Sequence, residues 1–283
     1  MPYTLIAENE AGERLQLTGN RNYDVLDVSG TSPPAANVNL THIVNMDGAK
    51  ENSALVGTRN LVITLDIKPP IELNRLALYR IFRTKRKVRI YYKNSNRDVY
   101  IDGIVETFEN NPWTQLQQPQ ISIICPQPFW LSAAETIVTF SKSIALFEFP
   151  FSIPAGGIEF SRRENLATAF VDVGEVNTGG IIRFRANAEG ITNPKFYNRS
   201  TGQYIGLNVE MAIGDVITIN TIQGQKSVTL LRSGVQTSLL SSRMLGSSWI
   251  EFRAGVNEVA YDADTMSEGL DCTLVILQKF EGV

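Results

Sequence analysis

A single histidine, His42, is all the imidazole in this chain of 283 residues. That scarcity excludes zinc sites of the HExxH type, multi-histidine metal centres and any relay between two imidazoles. A Ser-His-Asp or Cys-His site would have to run through His42, in NLTHIVN, which reads as a strand carrying a structural histidine. Cysteine is almost as scarce. Cys125 and Cys272 lie far apart, show no metal-ligand spacing, and read as two free, buried thiols. Neither GxGxxG nor a Walker A pattern occurs, so nucleotide binding has no support. No apolar run is long enough to cross a bilayer; SIALFEFPFSIP is short and broken by charge and proline. The opening MPYTLIAENEAGERL lacks the basic-then-apolar order of a secretory signal, so synthesis in a cytoplasm is expected. No catalytic residue, cofactor or metal ligand is expected.

What is present is ordinary for a folded protein: 43% hydrophobic and 19% charged residues, in a length that favours two domains. A net charge of −3 and a pI near 5.4 argue against a nucleic-acid binder, because duplex binding relies on a basic face. The charge is unevenly placed. Arg75, Arg80, Arg83, Lys85, Arg86, Lys87, Arg89, Lys93 and Arg97 crowd one stretch, and Glu251, Glu258, Asp262, Asp264, Glu268, Asp271 and Glu281 answer near the end. Such asymmetry suits docking between unlike surfaces at least as well as it suits DNA.

Short β-branched and aromatic runs separated by Gly, Pro, Asn and Ser predict a mostly β fold: VITLDI, KVRIYY, VYIDGIVETF, QISIIC, IIRFRA, DVITINT, SVTLLR, WIEFRA and CTLVIL. INTIQGQKSVTL predicts a hairpin about Gln223 and Gly224, and WIEFRAGVNEVAY another about Gly255 and Asn257. SGTSPPAANVN reads as a surface loop. One helix is predicted from Glu72 to Arg83, entered through Pro69 and Pro70. Its Ala77, Leu78, Ile81 and Phe82 share one side; Glu72, Arg75, Leu76, Tyr79, Arg80 and Arg83 share the other. That second face suits either a partner or arginine and aromatic stems lying over the domain's own sheet. Pro126 and Pro128 stop regular pairing before a new run of strands, which places a boundary between domains 1–135 and 136–283.

Among acidic residues, Asp262 and Asp264 in YDADT are the one pair that glycosidase chemistry would use, but they read as solvated turn acids. Asp215 reads as a turn residue, and Asp102 precedes a glycine, Gly103, that reads as a bulge. Trp249 and Tyr261, with Phe252, could stack on sugar rings as in a carbohydrate-binding adhesion module, or pack in a core. Trp113 stands in a long polar connection, ENNPWTQLQQPQ, where a tryptophan usually meets its own domain or a neighbour.

Several segments, in order, resemble the distal tail proteins of siphophage-type tails: LNRLALYRIF, KRKVRIYYKNSNRDVYIDGIVETFE and QISIICPQPFW, then GEVNTGGIIRFRANAEGITNPKFYNRSTGQYIGL, GDVITINTIQGQKSV, WIEFRAGVNEVAYDAD and QKFEGV. The resemblance implies an N-terminal β domain with one helix and an extended hairpin, and a C-terminal galectin-like or jelly-roll β-sandwich. It implies a virion structural protein at the distal end of a bacteriophage tail, no enzyme, that closes into a hexameric ring. Such a baseplate hub joins the tail tube to tip and receptor-binding proteins in host attachment; DNA passes through without being held, no membrane is engaged, and a host glycan is a further partner to consider. Carried onto this chain, the segment Tyr91 to Pro119 becomes the hairpin or loop that meets a neighbouring subunit. Arg75, Leu76, Tyr79, Arg80, Arg83 and Trp113 become candidate interface residues.

Overall fold

Period-two burial builds the first half of the chain. In β6 (Arg59–Ile67), Leu61, Ile63, Leu65 and Ile67 all point into the core. The computed structural model describes residues 3–45, 47–140, 142–145, 161–164 and 168–283. Two units result: Met1–Ala134 with Lys279–Val283, and Glu135–Gln278. A domain running from 136 to the last residue therefore gives way to one whose end returns to the first unit, because Lys279 and Phe280 pair antiparallel with Leu131 and Trp130.

The first unit contains β1 (Thr4–Asn9), β2 (Arg14–Gln16), β3 (Tyr23–Ser29), β4 (Ala36–Thr41), β5 (Lys50–Val56), β6, α1 (Ile71–Ile81), β7 (Lys87–Lys93), β8 (Asp98–Glu109), β9 (Gln120–Cys125) and β10 (Trp130–Ser132). The main sheet runs β2-β1-β7-β8-β9-β6-β3, with β10 also pairing to β8. Val99, Ile101 and Val105 of β8 meet Ile121 and Ile123 of β9 in one core, against which α1 lays Leu78, Ile81 and the following Phe82. Asn74 is buried on the same side of the helix; its side-chain amide donates to Lys68 O (2.8 Å), and its carbonyl accepts from the Tyr23 hydroxyl (2.9 Å). Gly103 marks no bulge. It sits in regular β7–β8 register, and a side chain there would collide with Ile123 of β9.

The second unit contains β11 (Thr136–Thr139), β12 (Lys142–Ala145), β13 (Ser161–Glu164), β14 (Thr168–Asp172), β15 (Gly180–Ala186), β16 (Ile191–Thr192), β17 (Lys195–Asn198), β18 (Gln203–Gly206), β19 (Glu210–Met211), β20 (Val216–Asn220), β21 (Ser227–Arg232), β22 (Val235–Ser238), β23 (Gly255–Asp262) and β24 (Leu270–Ile276). Two sheets, β11-β24-β15-β20-β21-β22 and β14-β23-β17-β18, enclose a core rich in phenylalanine, where Phe196 and Phe252 meet edge to face. This is the β-sandwich expected of the second half. Cys125 and Cys272 are free and buried, and burial pushes the Cys125 thiol up to about 12.

The hairpin expected across WIEFRAGVNEVAY does not form. Phe252 makes only a bridge to Thr178, and Asn257 is buried inside β23. Its amide accepts from Arg253 N (3.1 Å) and donates to Arg253 O (2.7 Å) and Gly255 O (3.1 Å), so a side chain supplies the pairing a second strand would have given. Among the described residues no helix is long and apolar enough to cross a membrane. Residues 146–154 of the SIALFEFPFSIP run lie outside the described residues.

Asp172, at the end of β14, is 2% exposed. One carboxylate oxygen accepts from Gly174 N (2.8 Å), the other has no hydrogen-bond partner among the described residues, and burial raises its pKa. A carboxyl raised in the native state stabilises it fully below the ordinary aspartate range and loses that contribution as pH climbs through the raised value. Asp172→Asn is therefore expected to add roughly 1 kcal/mol at pH 8 and little at pH 4, read as thermal unfolding at the two pH values.

Candidate assembly surface

The β4–β5 hairpin stands apart from both sheets. It forms a two-stranded ribbon of its own, and every residue of both strands is exposed. Its register sets Ala36 opposite Val56 and Val38 opposite Ala54. Strand alternation then puts Ala36, Val38, Leu40, Ala54 and Val56 on one face, where a register shift after Asn39 also sets Glu51 opposite Leu40, with Asn37, Asn39, Thr41, Ser53 and the exposed Leu55 on the other. An isolated two-stranded ribbon is marginal in water, and an apolar face with nothing over it has no internal reason to exist. The tip adds Ile43 and Val44, the latter 86% exposed. This is the extended hairpin the resemblance implies, but at 36–56. The segment Tyr91 to Pro119 supplies the end of β7, its antiparallel partner β8 in the middle of the main sheet, and most of the connection to β9. SGTSPPAANVN is only in part a loop, since its last residues open β4, and His42 lies exposed beyond the end of that strand.

The root of this arm is pinned by one buried cation. Arg59, 4% exposed, donates from Nε to Pro128 O (2.6 Å), from Nη1 to Gly30 O (2.5 Å) and Ser32 O (2.9 Å), and from Nη2 to Glu281 O (2.5 Å). The approach to β4 is thus tied to the exit from β5 and to the chain's last residues, where Val283 N also donates to Thr31 O (3.2 Å). Gly30 has φ +81°, and a Cβ there would collide with Asn60 O, so this crossing requires glycine.

On α1 the candidate interface residues part company. Leu76, Tyr79, Arg80 and Arg83 are exposed, joined by Leu73 at 67%, a residue the helical reading passed over. Arg75 is no free surface cation: its side chain is mostly covered, it pairs with Glu72, and its guanidinium lies over the Tyr79 ring. Arg80 pairs with Glu13 at 3.5 Å. Tyr79 stacks edge-on against Phe108, and with Phe82, Arg83, Thr84 and Arg86 they line an open recess of about 460 Å³. Trp113, 93% exposed in the connection between β8 and β9, touches little of its own domain.

In the second unit, Tyr261 is 5% exposed and edge-on to Phe140, so its ring presents no face for a sugar. Trp249 is half-buried, with the Arg243 guanidinium 4.5 Å and the Lys226 ammonium 5.7 Å from its ring centre. Asp264 is held by Lys195 and by Asn193 Nδ2 (2.8 Å), which keep its carboxyl below the usual range, the reverse of what a general acid needs. Asp215 is the turn residue expected, closing the turn with Ala212 immediately before β20. It is buried, it accepts from Arg232 at 2.5–3.0 Å and from Ala212 N at 2.9 Å, and the guanidinium lowers its pKa.

Residues 173–274 match the family model described as siphovirus-type tail component, C-terminal domain. No curated protein matches by sequence. Among solved structures, the chain is similar to the SPP1 Dit protein, titled a paradigm of the hub adsorption apparatus in Gram-positive-infecting phages. The TM-score is 0.67 and the identity 14%, over 99% of this chain and 100% of that one. Two structures of the phage P2 baseplate in its activated conformation, with calcium and with strontium, give TM-scores of 0.52 and 0.53 at 10% identity. They cover 97% and 98% of this chain and 98% of each matched chain. The distal tail protein resemblance is thus borne out, by the match of residues 173–274 to a tail-component domain model and by a fold shared with SPP1 Dit along nearly the whole chain.

Proposed function

We propose that this chain is a structural hub at the distal end of a phage tail, where identical copies close into a hexameric ring. In this reading the ring joins the tail tube to tip and receptor-binding proteins, and works by surface fit without chemistry. The observation that carries it is the arm: an exposed ribbon carrying Val38, Leu40, Leu55 and Val56, which the described residues leave uncovered, on a root locked by Arg59. A head-to-tail interface needs one patch that projects and a different patch that receives. The arm supplies the first. The exposed side of α1, with Leu73, Leu76 and the Tyr79–Phe108 recess, supplies an apolar and basic surface of the second kind.

Val38→Lys with Leu40→Lys tests this directly, since both side chains are exposed and the fold does not need them. Light scattering should show the unaltered chain as a multimer and the double variant as a monomer, with melting temperatures within a few degrees. A variant that assembles as well as the parent would remove the arm from the interface.

A further inference from the structure

The second unit carries an interaction surface of its own, along the open edge of its larger sheet. Strand β22 ends that sheet, pairs among the described residues only with β21, and is exposed throughout. The ladder continues one step past it, where Leu239 N donates to Val228 O (2.9 Å), and brings the following loop beside Lys226. There Lys226 and Arg243 share the Trp249 ring, and neither makes an ion pair among the described residues. Glu251, the acid nearest to Arg243 in sequence, pairs with neither. Two like charges held on one indole repel each other, and an added anion would relieve that repulsion.

The cluster is built in advance. Arg243 donates from Nη2 to Ser247 O (2.7 Å), its Nε is buried without a hydrogen-bond partner among the described residues, and Trp249 packs against the sandwich core. The loop is held by the Tyr204 hydroxyl, which donates to Leu245 O (2.8 Å). Leu245 is nevertheless 100% exposed, and Leu240 and Val235 are exposed as well. A half-buried tryptophan under an arginine matches the residue types on which protein interfaces concentrate their affinity, and the exposed leucines add apolar area beside it. An anionic polysaccharide would have no use for the leucines.

We propose that this edge receives an extended acidic segment of another protein. The segment adds a strand to β22 through main-chain hydrogen bonds and carries an Asp or Glu to the Lys226–Trp249–Arg243 cluster, with apolar side chains against Leu240 and Leu245. The inference rests on the assembling-hub reading only in expecting a protein partner; it needs neither the ring nor the arm.

The test is a random nine-residue peptide library, displayed and selected in parallel on the full chain and on a Lys226→Glu, Arg243→Glu variant. Both altered side chains lie outside the core, and a Lys226→Gln, Arg243→Gln variant controls for folding. The unaltered chain should select acid-containing peptides rich in β-branched residues, and the synthesised winners should bind the charge-reversed variant at least tenfold more weakly. Selection without acidic bias, or binding that survives the reversal, overturns the proposal. Binding of polygalacturonate at Trp249 with no acidic peptide selected also overturns it, and would assign the site to an anionic polysaccharide. Because binding is read on the chain in whatever oligomeric state it adopts, failure here leaves the ring reading standing, and a failed ring leaves this test intact.

Discussion

Arg59→Ala is expected to destabilise the first unit by about 3–5 kcal/mol. The guanidinium is buried and every short bond it makes goes to a main-chain carbonyl, so truncation strands the carbonyls of Pro128, Gly30, Ser32 and Glu281. Each unsatisfied buried acceptor costs about 1–3 kcal/mol, reduced where water can enter. Arg59→Lys should fall between, because a single ammonium cannot span the fork. Urea unfolding followed in the transition that carries Trp130 should show a lowered midpoint with unchanged slope. A loss below about 1 kcal/mol would mean that the arm's root is held by something other than this residue.

Trp130→Ala should cost about 3–5 kcal/mol, while Trp130→Phe should cost less than about 1.5. Trp130 is fully buried where β10 pairs with β8 and with the chain's last strand, and its ring lies 6.3 Å from that of Tyr92. Alanine leaves a cavity where two returning segments meet. Phenylalanine loses area but also removes an indole N–H that has no hydrogen-bond partner among the described residues, so part of the loss is offset. Thermal unfolding of the two variants checks the contrast, and equal losses would show that the N–H is satisfied in solution.

The elements that declared themselves in sequence are those where one periodicity dominates. Leu78, Ile81 and Phe82 fixed the helix, and the β-branched alternation of VITLDI and QISIIC fixed central strands. The arm stayed hidden because its alternation is written in alanine and asparagine after a double proline, a composition shared with loops. ANVNLT by itself is a period-two pattern with one weakly apolar face, and SALV blurs it, setting Ala54 and Val56 on that face and Leu55 on the other. Arg59, Asp215 and Asn257 were illegible for a different reason. Their partners are main-chain groups or distant side chains that only the folded chain brings near, and no local spacing encodes them. Arg75 shows the limit of helical phase: it falls on the outer face by angle, yet Glu72 and Tyr79 hold it down.

The most direct measurement of the central claim is the native mass of the purified full chain over a range of concentrations, with particles imaged by electron microscopy. A closed hexameric ring that disappears when Val38 and Leu40 carry lysine is the predicted result. A species that stays monomeric or stops at a two-fold dimer at every concentration, with the arm unaltered, would contradict it.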